Sequence, residues 1–277
     1  GTVNLLSNST VAAKFENRGT LRNTSFGSVS LDLVGNDFVN FGEIADGNHI
    51  YVSAARALLG DTSDIRTSAI TLAAAVVNSG KFLVDSHYDL AGDFANGGSG
   101  TLEVSGVLDG EAYSIKNSGT LNVVDNGRIE DVAQIENSNR MSVAENATVQ
   151  VNELLNSAGG VLDLAGEIQG NLTNQADATT NLNGGNVTGD LVNAGELTGS
   201  GSIEGKLTNS VALSVFGNIA AGSVDNSGAI TVHTPGVLTL TDGVFDNTGT
   251  LGVRGRIDQS DDAENVVIRN RANAALN

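Results

Sequence analysis

The amino-acid sequence predicts an all-β protein, a single-stranded parallel β-helix (β-solenoid) of about 14 coils, each with roughly 20 residues and three short strands. Three observations predict this fold. A short motif recurs along the chain, the apolar residues inside each repeat have the strand period of two, and the composition combines 35 glycines with a single proline. We expect one β-solenoid domain over residues 1–277.

The recurring motif is Asn-x-Gly-x-aliphatic, and successive motif asparagines lie 16 to 23 residues apart, except for an interval of 38 that we interpret as two coils. Asparagine and glycine tolerate the left-handed backbone of a sharp corner. Coils stacked in register would also let the asparagine amides form a hydrogen-bonded ladder. The expected ladder residues are Asn17, Asn40, Asn78, Asn96, Asn117, Asn137, Asn156, Asn174, Asn193, Asn209, Asn226, Asn247 and Asn270.

Each repeat contains three short apolar clusters. In the repeat that begins at Asn156, they are Leu162 with Leu164, then Ile168, then Leu172. Spacing within a cluster is two residues, and Gly, Asn or Asp separates the clusters, as expected for strands joined by turns. Three strands in about 20 residues match one triangular coil, with successive coils about 4.8 Å apart.

One segment, residues 45–77, interrupts the rhythm and is expected to form an irregular excursion, a loop or a short helix. Ser53–Leu59 is rich in Ala, Leu and Arg, and Gly60 follows as a C-cap, which favours a helix there. Insertions in solenoids lie outside the stack and often bind partners. An irregular pair of coils, or a cap over an exposed end, is the alternative interpretation.

The composition excludes several classes of function. Acidic residues outnumber basic ones 32 to 14, and aromatics make up 4%, so we expect no nucleic-acid binding. The absence of cysteine excludes disulfides and thiolate metal sites. The chain contains no stretch of 18 apolar residues, so we expect no transmembrane segment in it. It begins at Gly1 without a signal peptide, which we interpret as a processed mature protein or a segment of a longer one.

Catalytic residues are not expected, and we predict that the protein is not an enzyme. The histidines His49, His87 and His233 are isolated from one another in sequence. Asp85, His87 and Asp89 alternate along one predicted strand, which would place two carboxylates and an imidazole on one face for acid–base or metal chemistry. A solvated strand face is the plainer interpretation. A β-helical polysaccharide-active enzyme is a minor alternative, because such enzymes need converging carboxylates and aromatic platforms.

Two acidic groups are candidate metal ligands. Asp61 with Asp64, and the cluster of Asp261, Asp262 and Glu264, could bind Ca²⁺ weakly through carboxylate oxygens. Acidic loops of this kind are more often simply solvated. We expect no cofactor beyond such weak Ca²⁺ binding.

The segment Leu191–Ile203, with its Asn-x-Gly-x-Leu core, resembles the β-helical stalks in passenger regions of bacterial autotransporters and in filamentous-haemagglutinin-like surface adhesins. The likeness extends over nearly the whole chain. It implies export, processing and a place outside the cell or on the bacterial cell surface. We expect no barrel strands with a terminal aromatic, since the sequence closes at Ala274–Asn277, and we therefore interpret the resemblance as one to a shaft or passenger alone.

These observations favour a non-enzymatic extracellular β-solenoid, acting as the shaft or display scaffold of a bacterial surface protein that contacts a host or neighbouring cell surface. The alternative is a self-assembling subunit of an extracellular filament or surface layer, formed by end-to-end stacking with other copies. Core-type residues at both ends, Thr2–Leu6 and Val266–Ile268, motivate that alternative.

Overall fold

The computed structural model describes residues 1–44, 48–260, 266–271 and 274–276, and every regular element within them is a β-strand. The strands stack in parallel into a β-solenoid of about 14 turns, about 19 residues apart, which confirms the predicted fold class. The chain divides into two compact units, residues 1–135 and 136–277. Within the described part of the chain, no helix is long and apolar enough to cross a membrane.

The strands of the first unit are mostly short and separated by turns, with two of ten and nine residues. They are β1 (Thr2–Leu5), β2 (Ser9–Thr10), β3 (Phe15–Asn17), β4 (Thr20–Asn23), β5 (Val29–Asp32), β6 (Phe38–Asn40), β7 (Glu43–Ile44), β8 (Ile50–Leu59), β9 (Asp64–Arg66), β10 (Ile70–Asn78), β11 (Lys81–Val84), β12 (His87–Asp89), β13 (Phe94–Asn96), β14 (Thr101–Val104), β15 (Val107–Asp109), β16 (Ser114–Asn117) and β17 (Thr120–Val123). Strand β18 (Arg128–Asn137) spans the boundary between the units.

The strands of the second unit combine short ones with five of eight to fifteen residues. They are β19 (Arg140–Val143), β20 (Thr148–Asn156), β21 (Val161–Leu164), β22 (Glu167–Asn174), β23 (Thr179–Val187), β24 (Leu191–Asn193), β25 (Glu196–Asn209), β26 (Ala212–Asn226), β27 (Ala229–Val232), β28 (Val237–Leu240), β29 (Val244–Asn247), β30 (Thr250–Val253), β31 (Arg256–Gln259), β32 (Val267–Asn270) and β33 (Ala275–Leu276).

The coil that begins at β14 has three separate strands, β14, β15 and β16, as the apolar clusters predict. In β14, Leu102 and Val104 are fully buried, whereas Thr101 and Glu103 point outward. The strand pairs in register with β11 below and β17 above, so that Leu102 lies between apolar residues of both neighbours. Alternation of buried and outward residues therefore repeats at the same position in successive coils.

In the second unit, adjacent strands of several coils merge: β25 and β26 each span all three strand positions of a coil, β23 the first and second, and β20 and β22 the second and third. Strand β20 continues through both, and its register against β22 shifts between Gln150 and Glu153, as at a β-bulge. The bend turns the strand without breaking it, because a bulge changes the direction of a strand while its hydrogen bonding continues on both sides. Buried aliphatic side chains fill the interior, each stabilising the fold by about 1.5–3 kcal/mol.

The helix that the sequence predicts over Ser53–Leu59 is wrong, because these residues belong to strand β8. Strand β8 pairs with β5 and β6 on one side and with β10 on the other. Pairing on both edges outweighs the helix propensities of Ala, Leu and Arg, which differ by only a few tenths of a kcal/mol per residue. The 38-residue interval thus holds two coils, although residues 45–47 lie outside the described part of the chain.

Candidate functional site

In the second unit the ladder asparagines are joined by a continuous series of side-chain hydrogen bonds. Each Nδ2 donates to the Oδ1 of the next asparagine over 2.7–2.9 Å. The same nitrogen also donates to a backbone carbonyl one coil on, as Asn174 does to Glu196 over 2.9 Å. The residues joined in this way are Asn137, Asn156, Asn174, Asn193, Asn209, Asn226, Asn247 and Asn270.

In the first unit the ladder is interrupted. Asn17 donates to Asn40 over 2.7 Å, and a second series begins at Asn78, which donates to the next ladder asparagine over 2.9 Å. Between Asn40 and Asn78, the in-register position is occupied by Leu59, which is 2% exposed. One coil therefore has an aliphatic side chain where its neighbours have an amide. The second series is Asn78, Asn96 and Asn117.

The physical reason for the motif differs from the one that the sequence suggests. Within the described residues, neither the ladder asparagines nor the motif glycines have the left-handed backbone. The asparagines lie in extended strands, and asparagine is suited to these positions because its side-chain amide can both donate and accept in the ladder. The glycines allow coils to approach closely: a Cβ at Gly119 would overlap the carbonyl oxygen of Gly97, and one at Gly195 would overlap that of Ala178.

Beside Leu59 lies a groove of about 720 Å³, which we call the Phe41 groove and define by Lys14, Arg18, Phe41, Leu58 and Val77. Phe41 is 37% exposed and Val77 is 40% exposed. Large apolar side chains exposed in one depression mark a surface suited to binding.

Charged groups lie along one edge of the Phe41 groove. The Arg18 guanidinium stands over the Phe41 ring, 4.7 Å from its centroid, a cation–π contact. Glu16 accepts hydrogen bonds from Arg18 and, over 3.3 Å, from Lys14. These bonds, the one from Arg18 first, lower the pKa of Glu16. The carboxylate thus holds the Arg18 side chain beside the aromatic ring.

A second groove of about 520 Å³, the histidine groove, is defined by His49, Tyr51, Thr71, His87 and Asp89. It lies where the stacking of coils is discontinuous. Strand β12 pairs with β15, and among the strand pairings of the described residues none joins β12 to β10. A polar opening on an otherwise continuous sheet is a candidate binding site.

Tyr88 and His49 hold the two sides of this opening. Tyr88 is buried, and its hydroxyl donates to the carbonyl of Leu72 over 3.1 Å, bridging the gap between β12 and β10. Burial raises the pKa of Tyr88, because a phenolate would lose its hydration there. The His49 ring lies within hydrogen-bond distance of Thr71 Oγ1, at 2.8 Å, and contacts the Tyr51 ring edge-on.

Three metal-ligating groups meet beside the histidine groove. His87 Nε2 lies 2.7 Å from an Asp89 carboxylate oxygen, and the ligand atoms of His87, Asp89 and Asp109 all lie within 4.8 Å of one another. Asp89 and Asp109 occupy the same position of β12 and β15 in successive coils. Among the described residues, this is the one group of three histidine and acidic side chains placed closely enough to share a metal ion.

The sequence pattern predicted two of the three residues of this cluster, His87 and Asp89. Asp85, expected beside His87 and Asp89, instead accepts hydrogen bonds from the backbone N–H and hydroxyl of Ser68, each over 2.9 Å. Asp109 replaces it in the cluster. The missed signal is the spacing, since Asp89 and Asp109 are one coil length apart in sequence.

The other histidine and the predicted acidic ligands lie elsewhere. His233, in the second unit, stacks on Phe216 with ring centroids 4.3 Å apart. Asp61 accepts a hydrogen bond from Ser99 over 3.1 Å, and Asp64 pairs in register with Glu43. Neither aspartate belongs to the His87 cluster. The remaining predicted ligands, which lie outside the described residues, are Asp261, Asp262 and Glu264.

Chemically, the described residues provide a stack of coils held by aliphatic and amide side chains, and two grooves in the first unit. One groove combines apolar and cationic groups, and the other combines imidazole, hydroxyl and carboxylate groups. Comparison with protein-family models, curated proteins and solved structures finds no match for the chain.

Proposed function

We propose that this chain is a structural and adhesive β-solenoid, the shaft or display scaffold of an exported bacterial surface protein that acts outside the cell without catalysis. The observation that supports it most strongly is the continuous ladder from Asn137 to Asn270. Each coil is stabilised by contacts with its neighbours, as in other repeat proteins. The outward side chains are then free to serve solubility and binding.

The outward surface fits a scaffold that remains dispersed in water. The chain has a formal net charge of −18, and like-charged proteins repel one another. Carboxylates on the surface of the second unit pair with cations, as the half-buried Asp163 does with the exposed Arg140 over 2.7 Å. Such surface pairs add little stability, so their main effect is on solubility.

The two grooves of the first unit are the surfaces that such a scaffold would present to a partner on a host or neighbouring cell. The Phe41 groove offers an aromatic ring covered by a guanidinium, and the histidine groove offers hydroxyl, imidazole and carboxylate groups. Aromatic and arginine side chains are enriched among the residues that dominate binding energy.

The cellular location is tested by antibodies raised against the purified chain. We expect them to label intact, unpermeabilised cells of the source organism or to detect the chain in its medium. Mild protease treatment of intact cells should remove the label. A cytoplasmic marker protein, which must stay intact, is the control. Labelling confined to permeabilised cells would overturn the extracellular proposal.

The shaft role is tested by deleting one coil. Removal of residues 175–193 joins Asn174 to Ala194 and preserves the local Asn-Ala-Gly sequence. We expect a folded protein with unchanged β-type circular dichroism and retained surface display, because each coil contacts only its neighbours. The control, deletion of residues 175–183, shifts the register and should prevent folding. Loss of display by the folded one-coil deletion would contradict a shaft role for that coil.

The filament alternative is separated by sedimentation velocity over a hundredfold range of protein concentration. A display scaffold should sediment as one species throughout. Growth of the sedimentation coefficient with concentration would instead favour a subunit that stacks with other copies.

A further inference from the structure

We infer that His87, Asp89 and Asp109 form a binding site for a divalent transition-metal ion, with Zn²⁺ the best fit, whose open coordination positions face the histidine groove. This site is independent of the shaft role. It differs from the acidic Ca²⁺ positions that the sequence predicts, both in its residues and in the class of ion.

The separations of the three donor atoms suit a small cation. Zn²⁺ binds nitrogen and carboxylate oxygen at about 2.0–2.2 Å, so neighbouring ligand atoms in its shell are about 3.4 Å apart. The observed separations start at 2.7 Å, between His87 and Asp89, and none exceeds 4.8 Å. The side chains of His87 and Asp89 are each 59% exposed, so small rotations bring all three donors to an ion.

The backbone fixes where these side chains begin. His87 and Asp89 are two residues apart on β12 and point to the same face, and Asp109 is stacked in register on β15. The residues between them, Tyr88 and Leu108, are buried on the opposite face and anchor both strands. Strand pairing keeps the two carboxylates one inter-strand spacing apart, about 4.8 Å.

One carboxylate is oriented by the turn that follows it. The backbone N–H of Glu111 donates to Asp109 Oδ1 over 3.1 Å. The other oxygen of Asp109 is left to bind an ion. Hydrogen bonds that orient metal ligands in this way typically raise metal affinity.

Electrostatics at this position also favours a cation. Asp89 and Asp109 stack directly, and Glu130 follows in register on the next coil. Arg128 pairs with Glu130 over 2.6 Å, whereas the ion pairs of the described residues include no Lys or Arg partner for Asp89 or Asp109. An ion between the two carboxylates would relieve their repulsion.

The donor set selects the class of ion. One imidazole nitrogen and two carboxylate oxygens suit Zn²⁺ and neighbouring transition metals, whereas Ca²⁺ prefers six to eight oxygens. Three protein ligands leave at least one position open. The groove beside them, about 520 Å³ with His49 and Thr71 in its lining, has room for a polar ligand bound to the ion.

Isothermal titration of the chelator-treated full chain with ZnCl₂ tests the assignment. We expect one saturable site with micromolar affinity. His87→Ala should abolish it, and Asp109→Asn should weaken it at least tenfold. The matched controls His233→Ala and Asp225→Asn change an imidazole and a stacked carboxylate elsewhere and should leave binding unchanged. Circular dichroism of each variant must match the parent chain.

A second measurement reads the ligands directly. Co²⁺ bound to one nitrogen and two oxygens should give visible absorption bands. These bands should disappear when Zn²⁺ displaces the Co²⁺, and they should be absent in His87→Ala. Undiminished Zn²⁺ binding in His87→Ala and Asp109→Asn would overturn the inference. So would equally tight saturation by Ca²⁺, which would indicate a general acidic surface. A tenfold loss in His49→Ala, with His87→Ala unaffected, would also overturn the assigned ligand set.

Discussion

The asparagine ladders of the two units differ in one coil. In the second unit the side-chain hydrogen bonds are continuous from Asn137 to Asn270, whereas in the first unit Leu59 stands between Asn40 and Asn78. Both grooves and the His87 cluster are in the first unit. Depressions of about 460 Å³ and 280 Å³ lie in the second unit as well, but the contact of Arg18 with Phe41 and the His87 cluster lie in the unit whose ladder is interrupted.

The interruption is tolerated because the neighbouring amides find backbone partners. Asn40 Nδ2, which would otherwise donate to the next coil, donates to the carbonyl of Gly42 over 2.7 Å, and Asn78 Oδ1 accepts from the backbone N–H of Gly80 over 3.2 Å. Within the described residues no buried side-chain nitrogen or oxygen lacks a partner. The ladder is therefore a sum of local bonds, and one amide can be replaced where the turn after each neighbouring asparagine supplies a backbone carbonyl or N–H.

The largest expected effect is the introduction of the Leu59 arrangement into the regular ladder. Asn174 accepts hydrogen bonds from Asn156 and from the buried Thr180 hydroxyl, and donates to Asn193. Asn174→Leu removes these bonds and, unlike the arrangement at Leu59, leaves the buried Thr180 hydroxyl without its acceptor, so we expect the free energy of unfolding to fall by about 3 kcal/mol.

Urea denaturation of Asn174→Leu, followed by circular dichroism, measures this loss. Asn152→Leu is the matched control, since Asn152 is exposed in the same unit, and it should change stability by less than about 0.5 kcal/mol. A loss below about 1 kcal/mol for Asn174→Leu would mean that any coil tolerates the aliphatic residue.

The second expected effect concerns how closely the coils of the second unit approach. A Cβ at Gly195 would overlap the carbonyl oxygens of Gln175 and Ala178. Gly195→Ala should therefore destabilise the protein by about 2 kcal/mol, as overpacking does in cores. Gly252→Ala is the control, because its Cβ would meet nothing closer than 3.9 Å. Equal melting temperatures for the two variants would contradict the close-approach explanation of the motif.

A smaller effect is expected at the discontinuity in the first unit. Tyr88→Phe removes the hydrogen bond to Leu72 and should cost about 1 kcal/mol at neutral pH. The raised pKa of Tyr88 means that the folded state favours the neutral phenol. The tyrosine therefore contributes its full stability at a pH below its ordinary pKa, which is near 10. That contribution is lost as the pH rises above it.

Urea denaturation at several pH values between 7.5 and 11.5 tests this sign. The stability advantage of the parent chain over Tyr88→Phe should shrink as the pH rises above about 10. A constant difference across this range would show that Tyr88 ionises as easily in the folded state as in the unfolded chain.

The smallest expected effect is the repair of the interrupted ladder. Leu59→Asn would place an amide between Asn40 and Asn78, in register with both. Two new buried hydrogen bonds, each worth about 1 kcal/mol, roughly offset the loss of a buried leucine, worth about 1.5–3 kcal/mol. We expect the free energy of unfolding to change by less than about 1 kcal/mol. A loss above about 3 kcal/mol would mean that this coil requires its leucine.

The sequence pattern predicted the ladder positions better than the reason for them. Recurrence located the coils, and the observed bonds join asparagines one coil apart, as Asn193 and Asn209 are joined. Backbone conformation was misjudged, because a single repeat does not reveal how closely the next coil approaches. The helix over Ser53–Leu59 failed for a related reason, since strand pairing with neighbouring coils outweighs weak local propensity.

The candidate metal site could be predicted only in part. His87 and Asp89 share a strand face by the period of two, which the sequence shows directly. Asp109 joins them through the register of β12 with β15, and Asp85 leaves the group because Ser68 holds its carboxylate. Those two outcomes depend on which coil faces which, and a local pattern does not contain that information.

The sequence by itself therefore determined the fold class, the coil length and the asparagine positions, because each coil repeats the same local alternation and the same motif. The tertiary structure decided the replacement of one ladder amide by Leu59, the gap beside β12, and the meeting of His87 with Asp109. The physical reason is register. Residues about 20 apart become neighbours only through strand pairing, and where coils differ in length, that pairing shifts or stops.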